Sequence, residues 1–303
     1  MDFLYITRLL NGLLMILLPV GLGIFLSRRL NLGLRLFWIG AATFILSQIG
    51  HIPFNYGLTY LFNAGILPSP PEAWQLTFNA VVLGLSAGIW EEGARYATYR
   101  WWAKEARSWG EGLMLGAGHG GIESIILGLL VLWTFINMVV ARGMDLGNLV
   151  TPEQLSAAQA QVQAYWSVPW YTTLLGALER ALTLPFHLAA SLLVMQVFVR
   201  RQARWLWLAI GWHAFLDGTA VYTAGIWGPY LVEVLLAGFA LANLGIIFAL
   251  RRPDEDEIEA KLLNLKDEDD ERKDSGPEDA PTAHYLPDVD ETPANLDESR
   301  YVQ

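Results

Sequence analysis

Long apolar runs, separated by short polar turns that carry arginine, set the pattern of this chain. Seven runs can be drawn, at about 9–27, 33–56, 73–101, 111–140, 170–199, 204–223 and 229–250. Each reaches or approaches the ~20 residues that an α-helix needs to cross a hydrocarbon core. The pattern predicts an all-α, polytopic membrane helix bundle of about seven transmembrane helices. The first run is longer than the apolar segment of a typical signal peptide and lacks an Ala-x-Ala cleavage site, so it reads as a retained span.

Flanking charge orients the spans. Arg28, Arg29 and Arg35 lie between spans one and two, and Lys104 and Arg107 follow span three. Arg200, Arg201 and Arg204 separate spans five and six, and Arg251 and Arg252 end span seven. The intervening connections are nearly free of base; Arg142 lies in the long one, and Arg8 is a small exception near the N-terminus. The excess of Lys and Arg on cytoplasmic loops then gives an N-out, C-in topology.

Residues 1–252 are expected to form the transmembrane domain. An outer connection at 141–169 holds "TPEQLSAAQAQVQAYW", in which Thr151 is placed as a helix N-cap and Pro152 at the first helical position. Leu155, Ala158, Val162 and Tyr165 share one stripe of that helix, which predicts a short interfacial helix over the bundle mouth. Residues 253–303 are acidic, with Pro and Gly, and are expected to be a disordered cytosolic tail with a short helix near "DEIEAKLLNLK".

Composition sharpens this in two places. The net charge of −10 is concentrated at one end: residues from Arg251 onward hold 18 Asp/Glu and 7 Lys/Arg, which leaves 12 acids and 13 bases for the first 250. A near-neutral body argues against nucleic-acid binding, which needs a basic face to meet phosphates. The chain has no cysteine, which excludes disulfides, thiolate nucleophiles and Cys-based zinc or iron–sulfur sites.

Against that apolar background, ionisable residues inside spans are functional candidates, because charge there is costly and usually faces the bundle interior or a wet cavity. Span three carries Glu91, Glu92 and Arg95 in "GIWEEGARYATYR". Span four carries His119 and Glu123 in "GAGHGGIES". Span five carries Glu179, Arg180 and His187 in "ERALTLPFHLAAS", and span six carries His213 and Asp217 in "WHAFLDG". Glu91 and Arg95, His119 and Glu123, and His213 and Asp217 are i,i+4 pairs, so each pair shares a helix face.

Depth ties the spans together. Glu91 lies nine residues before Arg100, His119 ten after Trp109, His187 thirteen before Arg200, and His213 nine after Arg204. At about 1.5 Å of rise per residue these are roughly 14, 15, 20 and 14 Å from one membrane face. Four helices of alternating direction thus bring their polar residues to nearly one level, which predicts a single buried site. The glycines of "GAGHGG" admit close approach around His119.

Two adjacent carboxylates in low dielectric do not both ionise cheaply, so the pair can exchange a proton with a bound water while Arg95 holds the other anion. Histidines nearby can orient that water or stabilise an oxyanion. This is equipment for hydrolysing a carbonyl, in particular a peptide bond, inside a membrane.

The ordered set "EEGAR", "GHGGIE", "ERALTLPFH" and "HAFLD" resembles the YhfC family of membrane peptidases, related to the CAAX prenyl protease and bacteriocin-processing group, over about residues 5–250. The broad pattern of that group is Glu-Glu-x-x-x-Arg, then Phe-x-x-x-His, then His-x-x-x-Asn/Asp; here the arginine comes one residue earlier, and no Phe stands four before His119. The resemblance implies that Glu91 or Glu92 activates water together with His119, while His213 and Asp217 bind the oxyanion; Glu179 and Arg180, polar residues of span five, are supporting candidates beside them. It also implies a bacterial plasma membrane and a membrane-embedded or lipidated peptide substrate.

Two mechanisms stay open. In one, carboxylate and histidine activate water without metal, and the doubled glutamate leans this way. In the other, His119, His187 and His213 with a carboxylate ligate zinc and leave one position for water; no H-E-x-x-H is present. A proton-coupled transporter, or a non-catalytic membrane protein that keeps the site, are the alternatives from other classes. "GLSAG" (residues 84–88) matches G-x-S-x-G but reads as helix packing, and His51 reads as structural.

Overall fold

The computed structural model describes residues 3–148 and 150–251. The acidic segment 253–303, with its expected disorder and short helix, lies outside the described residues. Among those described, there is no strand, and the chain forms eight α-helices. These are α1 (Phe3–Arg29), α2 (Arg35–Asn63), α3 (Glu72–Ala97), α4 (Trp109–Gly143), α5 (Pro152–Trp166), α6 (Leu175–Val199), α7 (Arg204–Trp227) and α8 (Pro229–Ala249).

The seven long helices fall on the seven apolar runs. Five are long and apolar enough to cross a membrane: α1, α2, α4, α6 with the 3₁₀ turn before it, and α8. The two that fall short, α3 and α7, are those that carry Glu91, Glu92 and Arg95, and His213 and Asp217. They pack against each other more closely than any other helices. Gly84 and Gly88 make that possible: a Cβ at either would lie 2.4 or 2.7 Å from the carbonyl oxygen of Ala214 or Ile210 on α7. This is the packing role expected of the small residues in "GLSAG".

Helix α4 packs on α1, α2 and α6; α6 also packs on α8, α7 and α1. The main apolar core lies between α4 and α6, around Met114, Leu115, Leu192 and Val194, towards the arginine-rich end of the bundle. A Ser108–Glu111 capping box starts α4. Helix α3 ends in a π-helical turn, Thr98–Trp102, closed by Ala103 N–H donating to Thr98 O (2.7 Å).

Helix α5 turns one stripe inward. Leu155, Ala158, Val162 and Tyr165 are partly covered while their neighbours are exposed. It is fastened to the start of α1 and the end of α4: Tyr5 stacks on Trp166 (4.5 Å between centroids), and the Trp166 indole donates to Met138 O (3.3 Å). Arg8, the exception in the charge pattern, lies 3.5 Å over the Tyr165 ring and donates to the Tyr165 carbonyl.

Candidate active site

The candidate residues converge. Helix α3 supplies Glu91, Glu92 and Arg95 within little more than one turn, and α4, α6 and α7 close around them. Glu92, Arg95 and His119 are fully buried, and Glu91, His187 and His213 are at most 6% exposed.

The two glutamates have different surroundings. Glu91 Oε2 faces His119 Nε2 at 3.1 Å, with Arg95 Nη2 at 3.9 Å. Glu92 Oε1 accepts from Arg95 Nη1 and lies 2.7 Å from His213 Nδ1. Its Oε2 is buried and has no hydrogen-bond partner among the described residues. Thus Glu92 is pinned through one oxygen and bare at the other.

The histidines sort by what their nitrogens face. His187 Nδ1 lies 2.8 Å from Arg95 Nη2, and a guanidinium can only donate, so this nitrogen accepts. His187 Nε2 then carries the hydrogen and donates to Glu123 Oε2 at 3.0 Å. The Nε2–H of His119 donates to Glu91, which leaves Nδ1 of the neutral ring as a lone pair; it is buried and unpartnered among the described residues. His213 has both nitrogens on carboxylates, Nδ1 on Glu92 and Nε2 on Asp217 Oδ2 at 3.3 Å.

Ligand atoms of Glu91, His119 and His187 all lie within 4.8 Å of one another. Of the expected set of three histidines with a carboxylate, the geometry gathers His119, His187 and Glu91, while His213 lies outside it, facing Glu92 and Asp217. Aromatic rings seal the set. Phe44 meets His119 edge-on (5.3 Å), Phe186 meets His187 and His213 (5.1 and 4.7 Å), and His119 stacks on His187 (5.6 Å). Gly120 is what lets His187 lie so close to α4, since a Cβ there would be 2.4 Å from its ring.

Glu123, Arg180 and Glu179 form a second, less buried layer behind His187. Arg180 Nη1 donates to Glu123 Oε1 at 2.6 Å, and Nη2 donates to Glu179. Glu123 thus links Arg180 to His187. Two further residues join the site: Gln48, which the sequence did not mark, and His51, which it marked as structural. Gln48 donates to Glu91 Oε1 (3.3 Å), and His51 Nδ1 meets Gln48 Oε1 (3.3 Å). Each stands on α2 without an i,i+4 ionisable partner, so no spacing signalled them.

A profile of the YhfC intramembrane metalloprotease family matches residues 14–237, a stretch that contains every residue of the cluster. The chain belongs to the YhfC intramembrane metalloprotease family. An uncharacterized membrane protein YhfC of Bacillus subtilis (strain 168) is 30% identical over 249 residues, covering 80% of this chain and 95% of that protein. No solved structure matches. For a YhfC family member, the donor set fits a metal on its own chemistry. Two imidazoles and a carboxylate are the ligands of many catalytic zinc sites, and His119 offers an unpartnered buried nitrogen. When ionised, Glu91, Glu92, Glu123 and Asp217 outnumber Arg95 and Arg180, and a dication would offset that excess.

Proposed function

We propose that this protein hydrolyses a peptide bond of a membrane-embedded or lipid-anchored peptide, with Glu91, His119 and His187 as ligands to a zinc-class ion. The observation that carries this is the buried set of three ligand atoms within 4.8 Å, directly beside a second carboxylate with a bare oxygen. Such an ion, when bound, supplies Lewis acidity that polarises the scissile carbonyl and acidifies water.

The remaining chemistry belongs to the chain. Glu92 Oε2 takes a proton from water as the water oxygen adds to the carbonyl carbon, and returns it to the amine nitrogen as the C–N bond breaks. Arg95 and His213 hold Glu92 Oε1, so that Oε2 keeps its aim. Asp217 orients His213 on Glu92, and Glu123 holds His187 through Nε2–H in the manner of a carboxylate behind a ligating histidine, so that His187 would ligate through Nδ1 with Arg95 Nη2 giving up that contact. The rings of Phe44 and Phe186 limit water to the reacting face. A groove of about 550 Å³ between α2 and α3, lined by Leu46, Ser47, Trp90, Ala94 and Thr98, is an apolar surface on which a peptide in the bilayer can lie.

A second reading rests on the direct contact of His119 Nε2 with Glu91 Oε2, by which a glutamate–histidine pair activates water without metal. One experiment separates the two. The full chain in proteoliposomes is given a transmembrane or lipidated peptide, and new N-termini are sought by mass spectrometry. Cleavage that a chelator abolishes and zinc restores supports the metal site; cleavage indifferent to chelation supports the glutamate–histidine pair. Wild-type cleavage by both Glu91→Gln and Glu92→Gln would remove the site altogether.

A further inference from the structure

Gln48 has every polar atom committed, and the commitments fix its orientation. Its amide nitrogen donates to Glu91 Oε1 (3.3 Å) and to Ser47 Oγ (3.2 Å). The Ser47 hydroxyl spends its own hydrogen on Phe44 O (2.7 Å), so it can only accept from Gln48. A flipped amide would set its oxygen against a carboxylate and a hydroxyl oxygen, with no hydrogen between them. The amide oxygen must therefore face His51, and His51 Nδ1 must be the donor at 3.3 Å. His51 is anchored in turn by Ser86 on α3, whose Oγ lies 3.2 Å from Nε2.

We propose that Gln48 and His51 are positioning residues that set the Glu91 carboxylate for metal binding, a role that rests on the metal site proposed above. The relay runs His51 Nδ1–H to the Gln48 carbonyl, then Gln48 N–H to Glu91 Oε1. It occupies Oε1 and leaves Oε2 pointing at His119, 3.1 Å away, inside the ligand set. Glu91 is held from α2 as Glu92 is held by Arg95 and His213, so each carboxylate keeps one oxygen for support and one for chemistry. Ser86 on α3 meets His51 on α2, while Gly84 and Gly88 face α7, so the relay also couples Glu91 to the register of α2.

The test is zinc affinity of the purified full chain in detergent or nanodiscs, measured by competition with a chromophoric chelator. Gln48→Leu is expected to weaken zinc about 10- to 100-fold, the usual cost of losing a partner behind a ligand. His51→Leu weakens it less, and His51→Asn, whose amide N–H stands near the place of Nδ1–H, recovers most of the loss. Because His51 acts through Gln48, the double Leu variant binds within about twofold of Gln48→Leu alone. A purely packing role would give no Asn rescue and additive losses. Where Gln48→Leu fails to fold, judged by size exclusion and melting, the His51→Asn and His51→Leu pair carries the test. If His119→Ala loses zinc while Gln48→Leu and His51→Leu keep wild-type affinity, the relay is overturned and the metal site stands. If His119→Ala binds as tightly as wild type, or wild type binds none, the metal site is overturned and the relay with it.

Discussion

The inner cluster on α3 and the outer cluster on α6 have similar compositions and different freedoms. Each sets an arginine between carboxylates: Arg95 by Glu91 and Glu92, and Arg180 between Glu123 and Glu179. In the inner cluster the arginine is fully buried, and one Glu92 oxygen is left bare. In the outer one the Glu123 and Glu179 side chains are 21% and 42% exposed, so water shares their charge. An unpartnered carboxylate oxygen in a dry place is poised to bind or move a proton, whereas a hydrated, saturated ion pair chiefly holds its neighbours in place. Free hydrogen-bonding capacity under burial, more than the presence of charge, separates a reactive cluster from a supporting one.

The largest effect should follow from removing that bare oxygen's basicity. Glu92→Gln keeps the shape and is expected to cut peptide hydrolysis by about 10²- to 10⁴-fold, the usual contribution of a general base, while zinc affinity changes little. Measuring both on one preparation is decisive, because loss of zinc with loss of activity would make Glu92 a ligand and dissolve the division between the two glutamates.

Stability gives the next contrast. Arg95→Met leaves Glu92 buried without its cation and should cost about 3–5 kcal/mol in reversible unfolding. Arg180→Met releases carboxylates that water can reach, and about 1 kcal/mol is expected. Equal losses would show that the outer cluster is as dry as the inner one. Glu123→Gln ranks third: its amide oxygen can still accept from His187 Nε2, but the anion behind the ring is gone, so zinc should weaken about tenfold.

Much of this architecture could be read in the sequence, because a bilayer-spanning helix announces itself locally. The runs at 33–56 and 204–223 became α2 and α7, longer at one end since Gly57 to Asn63 and Ala224 to Trp227 continue the helix without an apolar run to mark it. The i,i+4 pairs and the shared depth pointed to residues that do meet. What could not be read was pairing across helices. Nothing in spacing tells that His213 spends both nitrogens on Glu92 and Asp217, so it looked as good a ligand as His119. Gln48 was silent, and His51 read as structural, for the same reason: their meaning depends on α2 lying beside α3, which no local pattern encodes. Glycine gave partial help, since "GAGHGG" marked close approach but not that Gly120 makes room for His187.

The smallest expected effect concerns Ser86, which stands between the two clusters' logic. Its hydroxyl lies 3.2 Å from His51 Nε2 and 3.0 Å from Leu83 O; with Nδ1–H of His51 spent on Gln48, the Nε2 lone pair is met when the hydroxyl donates to it in place of Leu83 O. A serine beside a histidine invites a nucleophile's role, yet Ser86 sits within the unbroken α3, whose backbone N–H groups are spent on the helical ladder and form no oxyanion hole. Its part is to steady His51, and a neutral hydrogen bond of that kind is worth about 0.5–1.5 kcal/mol. Ser86→Ala should therefore lower hydrolysis and zinc affinity by a few-fold, in parallel, through the same relay. A loss of a thousandfold in hydrolysis with zinc still bound would place a reactive centre on α3 outside the Glu91–His119–His187 set, and the contrast between one bare oxygen and its saturated neighbours would fail.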